Sequence, residues 1–528
     1  MLGHAMTEPP VATQADEGTQ PAGEASTPAA KPAPPGRWRS WRDRAITAMR
    51  RHKLLSALVA AGLVLRVLAQ IAYLPALVYV DTFKYLYNNA PGSDPLGYRY
   101  LMKIVMVAGN MTTVAALQHL AGLAMAITLY LVLLRRGTAK WLAALAVAPL
   151  LLDAYQIQME QTIMPDVWFE ALIVAGLAIL LWRPVVSLRF AAAAGLVLGA
   201  SATFKEVGEL LALPVLLFLL TAGGGWRQAV KRSVALVVAF LIPILGYSSF
   251  SYVRTHHFWL ARGQSSIGRD AAAADCATLK VPADVRLLCP TPGAQARGPD
   301  WLEHSGLSPL YSTPVPPGAH RRILLEDLNS AIKSQQLPRV AMAMLRDSVR
   351  LFALTRDGVA SVTPISRWQF QTYYPSYPPF VNVRHGYIVV GKQPVAFGKF
   401  HFVRLNPSYG GKTHVIKPIA SFLRAYQLDG GYTPGPLFLI CLIVGLAGSL
   451  LSLIKWRADP RTRGFALGCL LFTGCAAVLL FVPDVFEFSW RYELPAVIVL
   501  PMAGVLGFSA LLSYRRSKQA GPAEASTA

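Results

Sequence analysis

Apolar and polar positions alternate along this chain in long blocks rather than at short period. Apolar runs cover about 54–79, 112–134, 141–155, 166–183, 190–203, 208–220 and 234–252, and then 437–454, 465–482 and 496–512. A helix needs roughly 20 apolar residues to cross a bilayer, so the pattern predicts an all-α polytopic membrane protein of about ten transmembrane helices. The third and fifth runs are short for that task. Residues 254–434 break the pattern: they are polar, aromatic-rich and rich in Pro and Gly. They predict a mixed domain inserted between helices seven and eight. An amphipathic helical pattern covers 321–354, suited either to the membrane surface or to packing within that domain.

The connections fix a sidedness. Arg135 and Arg136, Arg183, Arg227 with Lys231 and Arg232, and Lys455 to Arg463 fall in every second connection, and Arg515, Arg516 and Lys518 follow the last run. Basic loops stay in the cytoplasm. Both termini are therefore expected in the cytoplasm, with 254–434 outside, and a bacterial plasma membrane is the expected location. The expected organisation is a disordered, basic cytoplasmic tail (1–53), a membrane domain of about seven helices (54–253), the extracytoplasmic domain (254–434), three further helices (435–514) and a cytoplasmic tail (515–528). The N-terminus lacks the early apolar run of a signal peptide, so the first helix reads as an uncleaved anchor.

Of the 528 residues 54% are hydrophobic and 15% charged, with a net charge of +22. In a soluble protein that charge would point to nucleic acid. Here the cations flank apolar runs, so no nucleic-acid partner is expected and the lipid bilayer is. Cys441, Cys469 and Cys475 lie in apolar runs and read as packing residues. Cys276 and Cys289 lie in the outside segment, close together in an oxidising compartment, and are expected to form a disulfide.

Chemistry is expected at the outer ends of the helices. The first outer loop carries Asp81, Lys84, Asp94 and Arg99; the second, 155–166, carries Glu160 and Asp166; the third carries Lys205, Glu206 and Glu209; the last carries Asp484, Glu487, Arg491 and Glu493. Converging, they would form a site of several carboxylates and at least two cations. Asp81 suits a base toward a hydroxyl and equally an N-cap. Asp166 has the same two readings, and Glu160 has less structural reason to be there. Lys205 suits a phosphate or a snorkelling anchor, and Arg491, between Trp490 and Tyr492, suits a bidentate phosphate contact or an interfacial belt. No P-loop, GxGxxG, DxD, HExxH or GxSxG is present, so the sequence gives no support to nucleotide, metalloprotease or serine hydrolase chemistry. Charged residues are nearly absent from the middles of the runs, Arg66 being the main exception, and this speaks against an ion-coupled transporter.

Asp81 in VDTFKYL, the acidic QMEQTIMPD, the Gly-rich GLVLGASATFKE ending in Lys205 and Glu206, and RYELP before the last run together resemble the GT-C class of membrane glycosyltransferases. In particular they resemble lipid-carrier-dependent enzymes of the protein O-mannosyltransferase and aminoarabinose transferase kind. It covers about 54–252 and 435–512. The usual Asp-Glu pair of that class is Asp81-Thr82 here. The Ala-, Arg- and Pro-rich composition suggests an actinobacterial source. The resemblance implies an inverting glycosyltransferase that moves a sugar from a polyprenyl-phosphate donor to a glycan, lipid or protein acceptor. Asp81 would be the base, with Glu160 or Asp166 orienting the acceptor or sugar. Lys205 and Arg491 would hold the lipid phosphate, with lesser contacts from Lys84, Arg99, Glu206 and Tyr492. No metal ligands are assigned, although a divalent cation fits the class. Trp368, Phe370, Tyr373 and Tyr374 would stack on sugars or pack in the core. The rival readings are a flippase for lipid-linked sugars and a non-catalytic envelope assembly protein.

Overall fold

The computed structural model describes residues 37–87, 94–261, 265–374, 380–384, 387–391, 401–404, 413–454 and 459–519. Residues 1–36 of the expected disordered tail, the basic residues Lys455 and Arg457 and the last nine residues lie outside them, whereas 37–51 of that tail are helical rather than disordered. The basic stretch at 37–51 is helix α1 (Arg37–Arg51), a unit separate from the rest of the chain.

The second unit, from His52 onward, is mostly helical. Six of its helices are long and apolar enough to cross a membrane: α2 (Lys53–Ala72), α5 (Met111–Arg135), α11 (Trp226–Thr255), α19 (Gly435–Ile454), α20 (Pro460–Phe481) and α21 (Ala496–Gln519). A seventh crossing arises if α6 (Lys140–Leu152) and α7 (Ala154–Gln161), bent by 50° at Asp153, act as one. The other runs predicted to span are shorter: α8 (Asp166–Leu181), α9 (Leu188–Ala202) and α10 (Ala212–Thr221), the last preceded by a 3-10 turn, Glu206–Leu211. The chain is thus a multi-pass membrane protein.

Local chemistry explains the breaks. Pro149 lies in the last turn of α6, and Asp153 then caps α7 by accepting from the Tyr155 N–H at 3.0 Å. Asn110 and Thr113 form a reciprocal cap at the start of α5. Gly195 and Gly199 on α9 let α11 approach to backbone contact. A Cβ at Gly199 would stand 2.1 Å from the Phe240 carbonyl oxygen, the small-residue packing that membrane helices favour.

The basic ends converge, as the loop charges imply. Arg136 donates to the carbonyls of Leu181 and Arg183, Arg461 to Gly137, and Arg463 to Thr221.

Two connections differ from expectation. The loop expected at 80–103 contains α3 (Thr82–Tyr87) and α4 (Gly97–Ala108). α4 is amphipathic, burying Tyr98, Arg99 and Met102 and exposing Ile104 and Val107. The loop expected at 155–166 is largely α7, every residue of which is buried. The bend at Asp153 turns its glutamines and Glu160 inward among the helices, where they bond to one another and to backbone.

The inserted segment begins with short helices, α12 (Ile267–Ala273), α13 (Ala283–Arg286), α14 (Pro292–Gln295), α15 (Pro299–His304) and α16 (Pro309–Ser312). These pack on the long α17 (Arg321–Ser348) through Leu279, Leu302, Leu324, Leu328 and Ile332. The amphipathic pattern is borne out by α17, with a break at Gln336 just before Pro338. Cys276 and Cys289 are disulfide-bonded. Opening this loop is expected to destabilise the domain by roughly 3 kcal/mol, seen as a lower unfolding temperature in reductant. β1 (Tyr73–Leu74) pairs antiparallel with β5 (His414–Val415). Three strands, β2 (Phe380–Arg384), β3 (Tyr387–Gly391) and β4 (His401–Arg404), form a sheet in the order β3-β2-β4. Helix α18 (Lys417–Leu428) then returns the chain to α19.

Candidate active site

α2 stops before Pro75, and the chain after it is held in place by backbone bonds. Leu77 N–H donates to the Gln161 carbonyl, and Ile163 N–H donates to the Leu77 carbonyl, both at 3.0 Å. Thr82 adds a hydroxyl bond to the Ile163 carbonyl at 2.9 Å. These ties present Asp81, just before α3, to the start of α8 and to the connection before α21.

Asp81, Asp166 and Arg491 meet there. The Arg491 Nη1 lies 3.0 Å from Asp81 Oδ2, and its Nε lies 3.0 and 3.2 Å from the two oxygens of Asp166. Lys205 Nζ, just after α9, donates to Asp166 Oδ1 at 2.7 Å. Lys84, one turn along α3, bridges Asp81 at 3.1 Å and Asp94 at 2.8 Å. Four connections far apart in sequence thus supply three carboxylates and three cations. Two of the five N–H donors of Arg491 are spent on these carboxylates. The cluster is graded in access: Asp81 and Lys84 are each 24% exposed and Lys205 17%, but Asp166 only 2%.

Aromatic faces frame the cations. Lys205 Nζ lies 5.6 Å from the Phe169 ring and 5.4 Å from that of Tyr492; Arg491 lies 5.5 Å from Trp368 and 5.6 Å from Tyr492. Such faces favour a cation that has lost some of its water. Burial pushes the Asp81 carboxyl up, but the charges of Lys84 and Arg491 outweigh it and hold the group below the usual carboxylate range. Asp81 is therefore ionised and strongly paired, and it becomes basic only when a cation leaves it.

Other predicted site residues fall elsewhere. Glu160 is fully buried in a second cluster. Its oxygens lie 2.7 and 2.8 Å from Arg66 nitrogens, and Oε2 lies 2.9 Å from His119 Nδ1. Arg66 also donates to the Leu150 and Leu151 carbonyls, which the break between α6 and α7 leaves without helical partners. Polar side chains within the apolar runs are thus more numerous than Arg66 alone. Gln118, His119 and Glu170 are also buried, and bond across helices. Arg99 donates to the Tyr85 carbonyl at 2.8 Å, joining α4 to α3. Glu206 faces α11, lining a cavity with Glu209, Ser248 and Trp259. From the last loop Arg491 joins the Asp81 cluster, whereas Asp484 accepts from the Ser348 hydroxyl and Glu493 is buried.

Among the aromatics, Phe370 is a core residue stacked on Tyr73, and Tyr374 donates to the Ala76 carbonyl, while Tyr373 is exposed. Trp368 is buried against Tyr79, backing Arg491. Tyr79 is a member of this wall that the sequence reading missed, although it stands only two residues before Asp81. Donor atoms of Asp300, His304 and Glu487 lie within 4.8 Å of one another. Arg367 already takes both oxygens of Asp300 at 2.8 Å, so a divalent cation there would compete with a bidentate guanidinium.

No family model and no curated protein matches the sequence. Among solved structures, the chain is similar to the Saccharomyces cerevisiae protein O-mannosyltransferase Pmt1-Pmt2 complex bound to the sugar donor. Identity is 17% over 39% of this chain and 34% of that one, with a TM-score of 0.31. It is also similar to the Archaeoglobus fulgidus oligosaccharyltransferase AglB in complex with an inhibitory peptide and a dolichol-phosphate, at 14% identity over 90% of this chain and 52% of that one, TM-score 0.41. A second structure from A. fulgidus, the oligosaccharyltransferase tethered with an acceptor peptide, gives 11% identity, 90% and 51% coverage and 0.39. The chain spans about a third to a half of the length of these proteins, and the scores are those of a loose likeness.

Proposed function

We propose that this protein is an inverting glycosyltransferase that moves a sugar from a polyprenyl-phosphate donor to a cell-envelope acceptor, on the extracytoplasmic face of the plasma membrane. The observation that carries the reading is the convergence of Asp81, Asp166, Lys205 and Arg491 from four connections into one partly open cluster. Ten crossings, with both termini in the cytoplasm, would put that cluster outside, where lipid-phosphate donors rather than nucleotide sugars are at hand.

The cluster is charge-balanced, so a phosphate enters by exchange. The donor phosphate takes Arg491 and Lys205, and Arg491 relaxes its hold on Asp81. Freed of that cation, Asp81 gains basicity as the site fills. It accepts the proton of an acceptor hydroxyl, whose oxygen attacks the anomeric carbon from the face opposite the phosphate. The bond from that carbon to the phosphate oxygen breaks with its electron pair on oxygen, where Arg491 and Lys205 stabilise the charge. Asp166 keeps both cations aimed. A divalent cation at Asp300, His304 and Glu487 would add positive charge beside this site, and no step above passes through it.

The test is sugar transfer from radiolabelled polyprenyl-phosphate donors in membranes containing wild type or Asp81→Asn. Transfer should fall about 10²–10⁴-fold, the usual worth of a general base, at normal protein level. Undiminished transfer in the variant would move the base elsewhere. A flippase reading draws on the buried Arg66–Glu160–His119 cluster, since intramembrane charge marks transport pathways. It predicts donor movement across vesicles without sugar transfer.

A further inference from the structure

The inserted domain holds a cleft that the proposed reaction does not use. It has a volume of about 610 Å³ and is lined by α12, the turns before α15 and the second half of α17. Four arginines face it, Arg269, Arg339, Arg346 and Arg350, against one carboxylate, Asp347. Asp347 is already saturated, taking Arg269, Arg350 at 3.3 Å and the Ser361 hydroxyl at 2.8 Å.

Arg269 is the independent sign of a ligand. It is 2% exposed, yet its Nε and one Nη have no hydrogen-bond acceptor among the described residues. A buried guanidinium with unmet donors is costly unless an anion completes it. Asp270, Asp484 and Glu487 lie within electrostatic reach. Asp270 is engaged instead by Ser266, and Asp484 by Ser348.

The setting indicates which anion. The exposed Arg339 and Arg346 on α17 form one stripe that Arg350 continues in the 3-10 turn after it, Val349–Phe352, at spacings of seven and four. Met342, Leu345 and Val349 form a second stripe beside it at spacings of three and four, each more than half exposed. Basic and apolar stripes side by side are the mark of a helix lying in a membrane interface. The turn after α17 also packs at the start of α19, where a Cβ on Gly435 would stand 2.2 Å from the Ala353 carbonyl oxygen. The arginine cleft is thus joined to the end of a membrane helix.

We infer that this cleft binds the phosphate of an anionic lipid, with Arg269, Arg339, Arg346 and Arg350 on the headgroup and Met342, Leu345 and Val349 among the acyl chains. The phosphate docks by charge-assisted bonds to forked guanidinium groups. The lipid is a bilayer phospholipid or a phosphorylated polyprenol; both carry the same two features, a phosphate and a hydrocarbon chain. The site stands independently of the transferase reading.

The test is native mass spectrometry of the full-length protein, titrated in detergent with phosphatidylglycerol, polyprenyl phosphate, phosphatidylcholine and glycerol phosphate. Arg339→Gln/Arg346→Gln alters two exposed side chains; Arg339 also donates to the Ala273 carbonyl at 2.7 Å, so size-exclusion elution and the unfolding temperature check that the fold is kept. One lipid should bind, at least tenfold tighter than phosphatidylcholine, and the double variant should lose that preference. Whichever of phosphatidylglycerol and polyprenyl phosphate binds tighter identifies the source. Met342→Asn/Leu345→Asn should weaken lipid binding while leaving any residual glycerol phosphate binding in place. Equal lipid binding by wild type and the arginine variant would overturn the site. Glycerol phosphate binding as tight as the lipid would overturn its assignment to a membrane surface.

Discussion

Two clusters in this protein are built from the same parts and differ in what surrounds them. In each, an arginine is clamped to carboxylate. Around Glu160 the partners are sealed: Arg66 is 1% exposed and Glu160 is fully buried, and the spare donors of Arg66 cap the broken end of α6. Around Arg491 the partners grade from buried Asp166 to Asp81 and Lys84 at a quarter exposed. A sealed pair trades only with its own protein; an open one can trade with a ligand. Accessibility, and not the kind of residue, separates a structural ion pair from a candidate site.

The sharpest way to break that contrast is Arg491→Lys. A lysine keeps the charge but loses the fork that spans Asp81 and Asp166. Transfer should fall by about 10²–10³, the scale of one lost oxyanion donor, with the unfolding temperature little changed. Retained transfer would reduce Arg491 to an interfacial anchor.

Glu160→Gln probes the other side. It leaves Arg66 buried without its counter-charge, at a cost on the order of 3–5 kcal/mol. Thermal unfolding in detergent should show the loss, while transfer per folded molecule is kept. Lost transfer at an unchanged unfolding temperature would return Glu160 to the chemistry, where the sequence placed it.

That placement shows what a sequence can carry. Each long apolar run left its mark, and the alternating loop charge set which ends meet. Asp81, Asp166, Lys205 and Arg491 were readable because each stands where a run begins or ends. Glu160 read as a residue of an outer loop because Tyr155 to Asp166 has the composition of one, whereas it stands on the buried α7. Its helix is made by tertiary partners: Gln118 bonds the Glu160 and Thr162 carbonyls, and Gln161 bonds the Tyr73 carbonyl. Gly122 was a signal in hindsight, since a Cβ there would meet Glu160 Oε1 at 2.1 Å. The arginine cleft was not legible at all, because α12 and α17 are joined only by folding.

The smallest effect expected is also the most direct reading of Asp81. Its carboxyl is held low by Lys84 and Arg491 against the pull of burial. Because the folded value is depressed, what the pairing adds to stability is complete above the ordinary carboxyl value of about 3.9. It is lost only as pH falls through the lower folded value. Between pH 5 and 8 the free wild-type enzyme should therefore show no Asp81 limb in kcat/KM. Lys84→Gln removes one cation without touching Arg491 or Lys205, so the phosphate clamp survives. The Asp81 carboxyl should then rise toward the ordinary carboxylate range, because one of the two cations that hold it down is gone, and its acid limb in the profile should move to higher pH. At pH 7 the group is still ionised and somewhat more basic, so transfer there should stay within a few-fold of wild type. A profile that does not move would mean that Asp81 is not the group whose proton the reaction needs.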